Sequence, residues 1–124
     1  MMDVSPFNAK LGVAIRDEAD GSVVLSIDAN ESFRNEVGAV HGGVAMFLLD
    51  GAMGRAACRT LGPNESCATV QISIQFMAPA RGRIQATGRV SKRGKRIAFL
   101  EGICVDETGK QIARAQGTWA IVAR

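Results

Sequence analysis

One stretch limits what this chain can become. From Asn35 to Leu61 it is largely apolar, and between Glu36 and Arg55 the only formally charged residue is Asp50. It holds the sole histidine, His41, followed by the pair Gly42 and Gly43. Val44, Phe47, Leu48, Leu49, Met53 and Cys58 spread over every face of a helix, and a helix apolar all round is a buried one. His41 to Leu61 is therefore expected as one buried helix, stopped by Gly62-Pro63. A lone carboxylate in such a run is costly to bury and needs a structural or chemical reason. Gly51 and Gly54 each lower helix propensity by about 1 kcal/mol. Their presence predicts close approach by a backbone or a ligand, with open space beside Asp50.

The rest of the chain reads as strand. Residues 1–10 are a lead-in in which Ser5-Pro6 can begin a turn or a brief helix. Leu11 to Arg16 and Ser22 to Asp28 flank Ala19-Asp20-Gly21, a hairpin with D-G turn chemistry. Ala29 to Val40 is polar and irregular, a long connection of the kind that carries function. Cys67 to Met77 alternates, with Val70, Ile72, Ile74 and Phe76 on one face. Arg83 to Lys92, a turn at Arg93-Gly94, and Lys95 to Val105 follow, the last with Ile97, Phe99, Glu101 and Ile103 on one face. Asp106 to Lys110 turns the chain into Gln111 to Val122. The order β-β-α-β-β-β-β in one domain of 124 residues implies an α+β packing, with the helix across the concave face of a curved antiparallel sheet. A sheet this small cannot cover a helix on all sides, so a second chain is expected to do so.

Composition excludes several classes. The net charge is +3, from 15 bases and 12 acids, and tyrosine is absent. No basic run interleaved with aromatics suggests nucleic acid. The three cysteines, Cys58, Cys67 and Cys104, have no metal-like spacing and read as free thiols of a reducing compartment. The N-terminus lacks the apolar core of a signal peptide, and glycines, His41 and Asp50 interrupt the longest apolar window. A cytoplasmic protein without a membrane span is expected.

If the helix begins near Gly42, its unpaired N–H groups and its positive dipole end face outward there. Glycine leaves them uncovered, so this end can hold a developing oxyanion, and Asn35 can add a side-chain donor. Asp50 is a potential base or nucleophile. Nine residues separate His41 from Asp50, a rise of about 13 Å and a rotation of about 900°. The two cannot grip one reacting centre from one helix. Acting on one substrate, they must come from two antiparallel helices in two chains.

These residues form the pattern N-x-x-G-x-x-H-G-G-x-x-x-x-L-x-D-x-A-x-G, here Asn35, Gly38, His41, Gly42, Gly43, Leu48, Asp50, Ala52 and Gly54. With TVQISIQFMAPA, RVSKRGKRIAF and GTWAIV further on, the chain resembles the hotdog-fold acyl-CoA thioesterases. It is most similar to the phenylacetate-degradation type within the 4-hydroxybenzoyl-CoA thioesterase superfamily. The resemblance implies hydrolysis of an aryl-CoA or a short to medium acyl-CoA at a homodimer interface, with dimers pairing into a tetramer. It implies that the Gly42 N–H polarises the thioester carbonyl, helped by Asn35 and His41. Asp50 of the other chain would attack or activate water, and Thr69 would orient that water. No metal or cofactor is implied, coenzyme A being part of the substrate. Gly43, Arg93, Gly94 and Lys95 are expected to contact substrate, the last three at the CoA phosphates. Phe33, Met46, Phe47 and Met53 are possible walls of an acyl pocket. The competing readings are a hotdog dehydratase or hydratase, and a non-catalytic acyl-CoA-binding module.

Overall fold

The computed structural model describes residues 4–124; the first three residues of the lead-in lie outside the described residues. The brief helix offered by Ser5-Pro6 forms as α1 (Pro6–Leu11). Ser5 caps it by accepting from the Asn8 N–H at 3.1 Å, and Gly12 ends it in the left-handed region at φ +73°. Leu11 therefore closes a helix, and the strand expected from Leu11 starts three residues later as β1 (Ala14–Asp17). Next come β2 (Val23–Asp28), a 3-10 turn (Glu31–Phe33), α2 (Gly42–Cys58), β3 (Glu65–Phe76), β4 (Arg83–Arg93), β5 (Ile97–Asp106) and β6 (Gln111–Ala123). Behind α1, the expected order β-β-α-β-β-β-β holds.

The six strands form one antiparallel sheet in the order β1-β2-β4-β5-β6-β3. Its register explains how a helix can lie so near it. Val23, Gly88, Gly102, Ala115 and Ile74 pair in sequence across five strands. Two adjacent glycines thus make a trough in the middle of the sheet. A Cβ at Gly88 would lie 2.5 Å from the Ala52–Met53 peptide of α2, and one at Gly102 would lie 2.9 Å from Leu49. The helix backbone rests on the strand backbone.

That seat selects one face. Ala45, Leu48, Leu49, Ala52, Met53, Ala56 and Ala57 are buried at 3- and 4-residue intervals. Full burial of Leu48, Leu49 and Met53 contributes roughly 1.5–3 kcal/mol each. The expected helix buried all round is thus corrected: within this chain α2 has a single buried face, and Met46 is 48% exposed. Gly51 and Gly54 are also explained by the core. A Cβ at Gly51 would meet Leu25 at 2.7 Å, and one at Gly54 would meet the buried Trp119 indole at 3.3 Å. They admit core side chains, not a ligand.

Of the two strand alternations expected, that of β5 holds and that of β3 is interrupted. Ile97, Phe99, Glu101 and Ile103 do share a face, but it is the outer one; Ala98, Leu100, Gly102 and Cys104 face the helix. In β3 a register shift between Thr69 and Gln71 interrupts the alternation. Ile72 and Ile74 are half-buried, whereas Val70 and Phe76 are exposed. No helix among the described residues is long and apolar enough to cross a membrane.

All three cysteines are free, and the Cys58 and Cys67 sulfurs lie 3.2 Å apart. Cys104 is fully buried, and burial pushes its thiol up to about 12. At pH 8 iodoacetamide should leave Cys104 unmodified in the native protein and label it after denaturation, as read by peptide mass spectrometry. Gly88→Ala should destabilise by about 3 kcal/mol, the upper end for overpacking, because the obstacle is backbone. Urea unfolding should show a lower midpoint with an unchanged slope.

Candidate active site

The loop before α2 is a small scaffold. Arg34 and Val40 form an antiparallel bridge, and the His41 N–H donates to the Phe33 carbonyl at 2.7 Å. Asn35 fills the loop: its Oδ1 accepts from the Val37 and Ala39 N–H groups, both at 3.1 Å. With the carbonyl end so occupied, the side chain's remaining resource is its NH₂ donor. Gly38 turns the chain at φ +80°, and the Arg81 guanidinium donates to its carbonyl at 2.6 Å. The Val40 N–H donates to the Ala80 carbonyl at 2.8 Å. The Pro79 region after β3 thereby anchors the entry to the helix.

His41 is the N-cap of α2. Its Nδ1 accepts from the Gly43 N–H at 2.9 Å, and its carbonyl accepts from the Val44 N–H. A neutral imidazole that accepts at Nδ1 carries its proton on Nε2. The exposed ring edge is then a donor. Gly43 is consumed by this cap, and a Cβ there would press on the His41 ring at 3.0 Å. Among the described residues none pairs with the Gly42 N–H. It is the first amide of a 17-residue helix and the donor left for an external acceptor. The Phe76 ring covers Gly42 so closely that a Cβ would meet it at 3.3 Å. Phe76 was not legible as a site residue, because only the pairing of β3 brings it to the helix start.

Asp50 lies about 13 Å further along α2. It is half-buried, less enclosed than the sequence suggests. Thr69 of β3 donates its hydroxyl to Asp50 Oδ1 at 3.0 Å. The two arginines that follow Asp50 in sequence, Arg55 and Arg59, are engaged elsewhere. Arg55 donates from Nε and Nη2 to Asp17 at 2.8 and 3.0 Å. These bonds hold the Asp17 carboxyl below its usual range. Arg59 donates to the Glu18 and Ser22 carbonyls. Among the described residues, Asp50 has the neutral Thr69 donor on one oxygen.

One chain therefore presents two half-sites. Asn35, His41, Gly42 and Gly43 cluster at the start of α2; Asp50 and Thr69 form a pair in its middle. The residues expected at the CoA phosphates lie elsewhere, at the β4–β5 hairpin. There Arg93 donates to Glu65 at 2.7 Å, to the Thr60 hydroxyl and to the Gly94 carbonyl. The Gly62 N–H and then Arg93 hold the Glu65 carboxyl below its usual range. Gly94 closes the turn by donating to the Ile97 carbonyl at 2.8 Å. Arg93 and Gly94 thus brace the hairpin. Lys95 is the exposed member of the expected three, beside exposed Lys92 and Arg96.

A cleft of about 320 Å³ opens beside His41 and Gly43. Phe33, Val44 and Phe47 line it, with Phe7 and Leu11 of α1. Phe33 and Phe47 are wall residues as expected; Met53 belongs to the core and Met46 to the surface. The α1 residues were missed: Ser5-Pro6 signals a helix start, but nothing local says where that helix docks. A larger depression of about 630 Å³ lies on the outer sheet face, lined by Arg89, Glu101 and Arg114, away from these groups.

Comparison with known proteins identifies the family. The thioesterase superfamily profile matches residues 37–113, which include the end of the loop, α2 and strands β3 to β5. Acyl-coenzyme A thioesterase 13 of Homo sapiens is 32% identical over 118 residues, covering 90% of this chain and 82% of its own. A 1,4-dihydroxy-2-naphthoyl-CoA hydrolase of Listeria monocytogenes is 26% identical over 112 residues, with 90% and 91% covered. The structure of a phenylacetic acid degradation-related protein from Ralstonia eutropha superposes with a TM-score of 0.87 at 29% identity, covering 96% of this chain and 92% of that one. A single long helix seated across a curved antiparallel sheet of this strand order fits these relatives: the chain is a member of the thioesterase superfamily, a thioester hydrolase on the hotdog fold.

Proposed function

We propose that the protein hydrolyses acyl-CoA thioesters with a compact aryl, short or medium acyl group, at sites each built from two chains. The observation that carries this reading is the separation of the two half-sites along α2. A carbonyl held at the Gly42 N–H is beyond reach of the Asp50 on the same helix. Asp50 of the partner subunit reaches it if the two helices run antiparallel. Support comes from β3, a 12-residue strand at the sheet edge. Its outer row of N–H and C=O groups offers pairing to a second copy. Pairing of two β3 strands about a two-fold axis sets the helices antiparallel.

In this site the thioester carbonyl oxygen accepts from the Gly42 N–H, with the Asn35 NH₂ and the His41 Nε2–H as further donors. Negative charge on that oxygen grows as the carbonyl carbon becomes tetrahedral, so these donors bind the transition state better than the ground state. Asp50 of the partner subunit either takes a proton from the attacking water or attacks the carbonyl itself. The Thr69 hydroxyl fixes one carboxylate oxygen and leaves the other for the reaction. Collapse of the tetrahedral intermediate expels the CoA thiolate, whose low basicity makes it a good leaving group; where Asp50 is the nucleophile, this leaves an acyl anhydride on Asp50 that water then hydrolyses to the free acid and the regenerated carboxylate. The acyl group lies in the cleft between Phe33 and Phe47. Lys95, with Lys92 and Arg96, meets the CoA phosphates at the hairpin.

Release of free thiol from a panel of acyl-CoAs tests the chemistry. Asp50→Asn should lower kcat by at least about a thousandfold, and Thr69→Val by roughly tenfold with KM little changed. Equal rates for wild type and Asp50→Asn would remove the hydrolytic reading and favour a binding module. Subunit mixing tests the sharing. Neither Asp50→Asn nor Gly42→Val alone should turn over at more than about a hundredth of the wild-type rate. Mixed in equal amounts after unfolding and refolding, they should recover about a quarter of wild-type activity, because half the dimers then hold one intact site of two. Sites contained within one chain would recover nothing.

A further inference from the structure

The cleft beside His41 is closed on one side by a segment that the chemistry does not use. Phe7 and Leu11 come from α1, six residues long and with no buried residue. A helix that short has no stability of its own. It is held by the Ser5 cap, by Gly12, and by the Phe7 ring packed edge-on against Phe47, with centroids 5.2 Å apart and planes at 81°. Leu11 packs partly against the core, whereas Phe7 is 60% exposed and stands outside it. A core role therefore accounts for Leu11 but not for Phe7. An exposed aromatic ring that lines a cleft otherwise walled by Ile27, Phe33, Val44 and Phe47 gains from covering an apolar ligand.

We propose that Phe7 is a specificity-determining residue, and that α1 limits the acyl group to a compact apolar moiety of about ten non-hydrogen atoms. This rests on the reading that the acyl group enters the cleft next to His41. The size follows from the volume: about 320 Å³ holds about ten water-sized groups at roughly 30 Å³ each. An arylacetyl group or a saturated chain of about eight carbons meets that limit. A long fatty acyl chain outruns this cleft and has to pass the Phe7 ring. Because Phe7 itself lies outside the core, substitution there changes the cleft wall and its contact with Phe47 and leaves the core residues in place.

The test compares wild type, Phe7→Ala and Phe7→Trp on saturated acyl-CoAs from two to sixteen carbons together with phenylacetyl-CoA. Circular dichroism and thermal unfolding confirm that each variant is folded. Phe7→Ala should raise the kcat/KM ratio of long over compact substrates by about tenfold or more, the scale of pocket discrimination by apolar groups. Phe7→Trp should move the optimum toward shorter chains. The effect should sit mainly in KM, since the ring touches the acyl group and not the reacting carbonyl. Active variants whose profiles run parallel to wild type would overturn the role of Phe7 and leave the hydrolytic reading intact. A wild type inactive on the whole series would overturn that reading and the assignment of the cleft with it.

Discussion

The contact between the middle of α2 and the glycine pair of the sheet determines most of the molecule. With no side chain at Gly88, the Ala52–Met53 peptide sits where a Cβ would otherwise be. A helix held that low has one possible rotation, because any larger residue turned toward the sheet would collide. Alanines accordingly supply four of the seven buried positions of α2. Leu48, Leu49 and Met53 then fill the flanks of the trough, and Trp119 slides under Gly54. The same rotation turns Asp50 toward the hydroxyl of Thr69. Chemistry on this helix is thus a by-product of how its opposite side is seated.

This seat also explains what sequence reading reaches and what it misses. Strands, turns and the helix itself were legible, since alternation, D-G and R-G turns and the Gly-Pro stop are local signals. The assignment of faces was not. In β5 the larger apolar residues Ile97, Phe99 and Ile103 form one row, and the smaller Ala98 and Gly102 belong to the other. Hydrophobicity alone sends the larger row inward. The closeness of the helix requires the smaller row there, and that demand comes from residues some forty positions away. The β3 bulge hides similarly, because a run of alternating residues carries no mark of the extra one. At the site, His41, Gly42 and Asp50 stood out by their isolation in an apolar run. Phe76 and Phe7 could not, since each reaches the site only through tertiary packing.

The loop from Phe33 to His41 converts sequence distance into rigidity. Most of its amide groups are directed: Asn35 takes two amides, Phe33 and Ala80 accept from the ends, and Arg81 holds the Gly38 turn. Such a loop loses little entropy when a ligand arrives. The capping of Gly43 by His41 serves the same end. It settles the imidazole's orientation and, among the described residues, leaves the Gly42 N–H without a partner. Preorganised donors of this kind stabilise charge without the cost of turning during the reaction.

The distribution of cations around Asp50 completes the argument. A guanidinium on a carboxylate stabilises the charged form and lowers its basicity, which weakens it as a base and as a nucleophile. Helix α2 carries Arg55 one turn beyond Asp50, and Arg59 follows at its end. Each is drawn toward the β1–β2 hairpin, Arg55 by Asp17 and Arg59 by the carbonyls of Glu18 and Ser22. Arg93 is retained by Glu65. These pairs are half-exposed and contribute modestly to stability. Their larger consequence is positional. They direct these guanidiniums to the β1–β2 hairpin and to Glu65, while Asp50 accepts from the Thr69 hydroxyl.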